Sequence, residues 1–342
     1  MADQFDFESH PKIELHVHLE GSVAAETAAE LAVRHGYDPQ AVLPLVDGRY
    51  PKRFTDFQEF IDIYLAVSAQ IRDAVDLRFI AEAFASAQAK QNIFYTETTF
   101  TAITHVGNGM DPSEMWGAVR EGLEAGGGNV GLIVDTPRDV GVAAAHRTVE
   151  MVEGTDAPIV GLGLSGIEGS VPEGEFRVLR EAADELGLGL AAHAGETGGP
   201  ERVWAALDDL GADRIGHGVA SARDAALVER LVRDGVPVEV CPSSNVSLGI
   251  FESFEDHPFP ELWRAGVNVT INSDDPPFFS TTLTDELSRV AHLAGLTKDD
   301  VLELQRRAAR AAFASPDERT RLEERLSTNS TSCSRPPQHQ GL

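Results

Sequence analysis

Eight short, β-rich apolar segments recur along the chain, separated mostly by longer stretches rich in Ala, Leu, Glu and Arg. They fall near Lys12–His18, Ile93–Thr99, Val130–Val134, Ile159–Leu164, Gly189–His193, Arg214–His217, Val236–Cys241 and Val267–Asn272. Between them, Glu175–Leu186, Pro200–Leu210 and Ala222–Asp234 carry helical spacing of apolar residues. Strand–helix alternation of this kind predicts an α/β fold with a parallel sheet, because each return to a parallel neighbour needs a crossover. Eight repeats predict one (β/α)8 TIM barrel over residues 1–326. A doubly wound sheet shares the alternation, but it usually opens on a glycine-rich phosphate loop, and none follows the first segment. Gly126-Gly127-Gly128 reads as a helix C-cap and loop.

One interval breaks the rhythm. Roughly 70 residues, from Glu20 to Asn92, separate the first two strands, far more than one crossover helix needs. This predicts a helical insertion after strand 1. Within it, Phe54, Phe57, Phe60 and Tyr64 sit at helical spacing in Arg53–Ile71. Such a stripe packs against the barrel, covers its mouth as a lid, or does both. From Ser327 the chain turns polar, and residues 327–342 are expected to be a disordered tail.

Composition narrows the partners. A formal charge of −27 repels phosphate backbones and anionic membranes, so neither a nucleic-acid polymer nor a lipid surface is expected. The same acidity serves solubility. Two cysteines, Cys241 and Cys333, exclude a disulfide framework and a thiolate-rich zinc site, and fit a reducing cytoplasm. Met1–His10 is acidic without an apolar h-region, so no secretory signal is expected there. No run of about 18 apolar residues predicts a membrane span. Association into a homo-oligomer stays open.

In a barrel of this kind, catalytic groups sit at the C-terminal ends of the strands. His16 and His18 end the first strand on one face of it, since residues i and i+2 project together. His193 ends the fifth, His217 the sixth, and Asp274 and Asp275 the eighth. His16, His18, His193 and Asp274 therefore form a ligand set suited to one zinc or similar divalent ion, with a position left for water. Such a water titrates near neutrality and supplies hydroxide. Glu196, three residues past His193, is placed to exchange a proton with a substrate, and His217 to orient or deprotonate the water. Strand four, Ile159–Leu164, has no lysine to bridge a second ion, so one metal per chain is expected. Other catalytic templates fail. Cys241-Pro242 reverses the dipeptide of the paired-cysteine deaminases, and neither a Gly-x-Ser-x-Gly elbow nor a Walker loop is present.

The segments Pro11–Gly21, His193–Glu196, Arg214–Gly218 and Asn272–Pro276 resemble, in order and approximate spacing, the adenosine deaminase family of the amidohydrolase superfamily. The resemblance runs from about residue 10 to residue 325. It implies hydrolytic removal of the 6-amino group of a purine nucleoside. Carried over by position, it implies attack of hydroxide at C6, with His217 and Asp274 positioning and deprotonating the water. It implies protonation of N1 by Glu196, a contact of Asp275 with N7, a backbone contact near Gly166 with N3, and substrate contacts from His18 and Glu20. The chemistry is coherent, because an aromatic amine leaves poorly until its ring is protonated and attacked.

Three departures concern the substrate. Adenosine-specific members place aspartate where this chain has Glu20, beside the ribose 5′-hydroxyl. Glutamate there resembles branches acting on adenine or on 5′-altered nucleosides such as aminodeoxyfutalosine. Ser165-Gly166-Ile167-Glu168 keeps the nucleoside-type glycine, which argues against adenine. Phe100–His105 forms an apolar rim that packs or touches a substituent beyond the sugar, with His105, Arg53 and Arg138 as candidate counter-charges for an acidic tail. Adenosine itself stands narrowly first, ahead of a 5′-modified analogue and then adenine. An ester- or lactam-cleaving metal hydrolase would reuse the ligands without needing both Glu196 and Asp275.

Overall fold

A computed structural model describes residues 5–332. Eight parallel strands stand side by side in chain order: β1 (Lys12–His18), β2 (Ile93–Phe100), β3 (Val130–Pro137), β4 (Ile159–Ser165), β5 (Gly189–Ala194), β6 (Arg214–His217), β7 (Pro237–Val240) and β8 (Asn268–Ile271). The expected barrel forms, and every expected strand is present. Most strand residues are buried on both faces, as helices outside and packed side chains inside require.

The seam between β8 and β1 closes just past the end of β8. Val17 pairs with Asp274, Asp274 donates its N–H to the His16 carbonyl (3.1 Å), and His18 donates to the Asp274 carbonyl (2.9 Å). Below this, the Asn272 side-chain oxygen accepts from the N–H groups of Leu15 (3.0 Å) and His16 (3.1 Å). Buried Glu14 accepts from the amide and hydroxyl of Ser273 at 2.9 and 2.6 Å. The seam thus brings the first-strand histidines beside the carboxylate that follows the last strand.

The insertion after β1 holds α1 (Ala25–Arg34), α2 (Pro39–Val42) and α3 (Phe57–Ser68), followed by the crossover helix α4 (Ala74–Lys90). The aromatic stripe serves both roles expected of it. Phe54 and Phe60 are buried against Phe279, while Tyr64 lies against Phe278 and reaches the barrel mouth with Phe57 and Phe60. Next come α5 (Ala102–Gly107), α6 (Pro112–Gly126) and α7 (Val142–Val152). Gly127 ends α6 at φ +81°, a left-handed cap that favours glycine, as the glycine run predicts.

The last helix, Pro316–Ser332, corrects the expected start of the tail. Leu322 and Leu326 are buried against Ile13, Leu15, Phe94 and Tyr95, and this anchored face carries the helix on through residues 327–332 despite their polarity. The rest of the expected tail, including Cys333, lies outside the described residues, as do residues 1–4.

Candidate active site

The six residues expected on one rim are brought together there. One ligand atom each from His16, His18, His193 and Asp274 lies within 4.8 Å of the others. Asp274 Oδ1 is 3.2 Å from His16 Nε2 and 3.3 Å from His18 Nε2, and its Oδ2 faces His217 Nε2 at 3.9 Å. Both His217 (φ 59°) and Asp274 (φ 64°) adopt the left-handed backbone region, uncommon for residues bearing a side chain. Strained backbone of this kind concentrates at functional sites.

Charge in this cluster is sharply partitioned. Burial opposes the charged form of His16, yet the carboxylates of Asp274 and Glu239 raise it to about 10. Burial likewise opposes ionisation of Asp274, but the surrounding histidines hold it well below the usual carboxylate range. The centre therefore favours positive charge. A second overlapping set replaces His18 and His193 by His217 and Cys241. Burial pushes the Cys241 thiol well up, which makes it a poor ligand beside ready imidazoles.

A buried ionic chain orients His16. Its Nδ1 meets Glu239 Oε2 at 2.8 Å, and Glu239 Oε1 pairs with Arg214 Nε at 2.6 Å. Arg214 Nη1 reaches Glu97 Oε2 at 2.6 Å, and the guanidinium lies over the Phe313 ring. Gly216 belongs to the same construction, because a Cβ there would sit 2.9 Å from His16 Cε1.

Glu196 stands over the cluster, its Oε1 3.7 Å from His217 Nε2. Its loop is gathered by Glu168, whose carboxylate accepts the backbone N–H groups of Gly195 (2.6 Å), Glu196 (2.8 Å), Thr197 (2.9 Å) and Gly198 (3.3 Å). Burial, then the nearby charges of Asp274 and Glu168, raise the Glu196 carboxyl well above its usual range. Burial and Asp274 do the same to Asp275. Burial drives His217 down to about 3, so its ring is neutral at neutral pH. The Asp275 side chain fits only because residue 21 is glycine, where a Cβ would fall 1.6 Å from its Oδ1.

The pocket above these groups is lined by His18, His193, Glu196, His217, Asp274 and Asp275 at its polar end, and by Phe57, Phe60, Ile61, Tyr64, Pro137 and Val140 elsewhere. Gly166 lines it too, at φ +79°. Glu20 does not. Its Oε1 accepts from Thr101 N–H and faces His105 Nε2, both at 3.0 Å, and its Oε2 is buried without a partner. A helix after β2 explains this, since α5 folds over Glu20 and offers only Thr101 and Thr104 to the pocket. Phe100 packs on His105 instead of reaching out. The three expected counter-charges are also engaged elsewhere. Arg138 donates to the Ser165 and His193 carbonyls, Arg53 to the Glu252 carbonyl, and His105 is held by Glu20.

The sequence reading did not single out Glu168, Glu239 or Arg214. A signal existed for Glu239, a charged residue inside the otherwise apolar β7, and for Arg214, a charged residue that opens the buried strand β6. For Glu168, on a loop beyond β4, no local signal existed.

Comparison with known proteins agrees with this geometry. A family described as "Adenosine deaminase" matches residues 11–329. The chain is 36% identical over 332 residues to an aminodeoxyfutalosine deaminase of Streptomyces coelicolor, covering 93% of this chain and 84% of that protein. It is 38% identical over 318 residues to an adenine deaminase of the same organism, covering 91% and 92%. Among solved structures, adenine deaminase from Arthrobacter aurescens superposes with a TM-score of 0.85 at 30% identity, covering 94% of this chain and 100% of that one.

Proposed function

The chain belongs to the adenosine deaminase family of hydrolases acting on C–N bonds, and from that premise we propose that it removes the 6-amino group of a 6-aminopurine as ammonia, using one zinc ion. One observation carries the reading: Asp274, converging with three imidazoles, shares one rim with the buried carboxyls of Glu196 and Asp275, and the histidines hold Asp274 down while burial and the charge of Asp274 push the other two up. Pairs of titratable groups pushed apart in this way mark acid and base roles.

The donor set fits zinc. Three imidazoles and one carboxylate converge, buried His16 Nε2 has no hydrogen-bond partner, and the surrounding carboxylates favour positive charge. Bound by His16, His18, His193 and Asp274, the ion would supply hydroxide at neutral pH and Lewis acidity. The chain's own residues do the rest. Protonated Glu196 donates to N1, which draws electron density from C6 and opens it to attack. Protonated Asp275 donates to N7, an acceptor that an ionised carboxylate would repel. Neutral His217, between Glu196 Oε1 and Asp274 Oδ2, takes the proton from the attacking water. The Gly166 backbone meets N3. The proton taken up at His217 is then available to the departing amine.

Substrate choice turns on Glu20. Its Oε1 is held by Thr101 and His105 and its side chain does not line the pocket, so it stands away from a 5′-hydroxyl bound there. This moves a 5′-modified nucleoside, of which aminodeoxyfutalosine is one, ahead of adenosine. Adenine follows. Among the described residues no lysine or arginine lines the pocket, which disfavours a 5′-phosphate.

Ammonia release measured with adenine, adenosine, 2′-deoxyadenosine, 5′-methylthioadenosine and aminodeoxyfutalosine tests the assignment. It fails if all five are inert with zinc-loaded protein. Asp275→Ala separates it from cleavage of an ester or lactam, since only a purine substrate needs that side chain. No helix among the described residues is long and apolar enough to cross a membrane. A cytoplasmic location, expected from the sequence, belongs to this proposal and is checked by cell fractionation, and light scattering reads the self-association that the sequence left open.

A further inference from the structure

Arg138 and Arg214 are the two largest fully buried side chains among the described residues, and they use their charge differently. Arg214 lies between two carboxylates, Glu97 and Glu239. Arg138, just past β3, directs its terminal nitrogens to neutral carbonyls, Nη1 to Ser165 at 3.0 Å and Nη2 to His193 at 2.5 Å. Its ion pair with Glu173 is looser, Nε to Oε1 at 3.8 Å. Burying a cation costs desolvation, and neutral carbonyls offset that less fully than carboxylates do.

The two carbonyls mark a break in the barrel wall. The β4–β5 ladder ends at the pair Leu164 and Ala192, and Ser165 and His193 are the next residues in register. At this level β4 stays paired to β3 through Ser165, and β5 stays paired to β6 through Ala194. The wall opens between β4 and β5, and the Arg138 guanidinium joins the two strand ends there instead. Each carbonyl leads to a working group. His193 is a candidate metal ligand. The Ser165 carbonyl belongs to the peptide unit whose N–H is that of Gly166, and that peptide is trans. A planar trans peptide points its N–H opposite to its C=O, so holding the oxygen sets the direction of the N–H assigned to purine N3. A guanidinium carries its donors at fixed spacing in one plane, so a single rigid fork relates both strand ends.

We propose that Arg138 is a positioning residue whose guanidinium fixes the Gly166 N–H relative to the His193 strand end, so that N3 meets its donor while C6 faces the metal ligands. The inference rests on the deaminase reading for the placement of the ring, and its test is built so that the two fail separately.

Two unreactive ligands read the donor directly: the 1-deaza and 1,3-dideaza forms of whichever purine is deaminated fastest (for adenosine, 1-deazaadenosine and 1,3-dideazaadenosine). Both lack N1, so Glu196 has no ring nitrogen to protonate and neither reacts; they differ only at N3. In zinc-loaded wild-type protein the first should bind more tightly by ~5- to 100-fold, because the second leaves a buried donor stranded. Arg138→Met should bring that ratio close to one. A merely structural role would weaken both ligands alike and leave the ratio in place. Arg138→Lys keeps the charge without the fixed fork, so it too should lose most of the ratio, and it serves where the methionine variant does not fold. A wild-type ratio near one, or a ratio that survives in either variant, overturns the proposal. If no purine releases ammonia, the deaminase reading is what has failed. Zinc competition against a chelator then decides the His193 half alone. Arg138→Lys should weaken zinc binding by about 10-fold, the lower end for groups that orient a metal ligand, and unchanged affinity rejects the role.

Discussion

Glu168 accepts the backbone N–H of Glu196 at 2.8 Å, so one carboxylate holds in place the loop that carries another. The arrangement does two things at once. Four successive amides converge on Glu168, fixing where the Glu196 side chain starts, and its negative charge helps keep Glu196 protonated. Glu168→Gln keeps the shape and removes the charge. The expected outcome is a roughly tenfold loss in kcat, in the range of residues that orient a catalytic group. The high-pH limb of the activity profile should also shift to lower pH, which a role confined to loop packing would not produce.

Glu196 acts as an acid, so activity should fall as pH rises through its raised pKa. Glu196→Gln should lower kcat by ~10²–10⁴-fold, typical for removal of a general acid. The same change should stabilise the metal-free protein. A carboxyl whose folded pKa lies above its unfolded value binds more protons when folded, so stability declines with pH between the two values by about 1.4 kcal/mol per unit. Glutamine carries no such penalty. Thermal melts at pH 6 and pH 8 should show the variant ahead, and further ahead at pH 8; a lead that shrinks with pH would contradict the raised pKa.

The Glu239–His16 contact at 2.8 Å fixes which ring nitrogen of His16 is left for a cation. Glu239→Gln should weaken zinc binding by about 10- to 100-fold, read by competition with a chelator. Arg214→Met removes the only buried cation between Glu97 and Glu239 among the described residues and strands both carboxylates, at a cost of about 3–5 kcal/mol in denaturant unfolding.

Gly21→Ala places a methyl group where Asp275 Oδ1 now lies. The expected result is a large fall in kcat/KM with zinc content retained, because Asp275 is not among the four ligands. Loss of zinc in parallel would mean that the displacement spreads to Asp274.

Metal removal should destabilise the fold as well as silence it. An ion bound only by the folded chain adds about 2.7 kcal/mol when present at a hundred times its dissociation constant. Melting temperature should therefore fall with chelator and return with added zinc.

Period and residue type carried much of this protein. Eight apolar runs at crossover spacing dictate a barrel, because a parallel strand can return only through a connecting element. His16-Val17-His18 on a strand, with His193, His217 and Asp274 at other strand ends, dictates a shared rim, since strand ends of a barrel meet by construction. The aromatic spacing of α3 was legible for the same reason. What decided the rest was the path of loops, which no local period encodes. Glu20 lies two residues past the His16/His18 pair, and its sequence position suggests the pocket; the fold of α5 turns it to Thr101 and His105 instead. Glu168 and Glu196 lie 28 residues apart and are both carboxyl side chains, and only the packing of two loops made one the support of the other. Sequence alone thus determined which chemical groups would meet, while the tertiary structure decided which of them stay free to meet a substrate, because a side chain's hydrogen bonds depend on neighbours that the chain supplies from elsewhere.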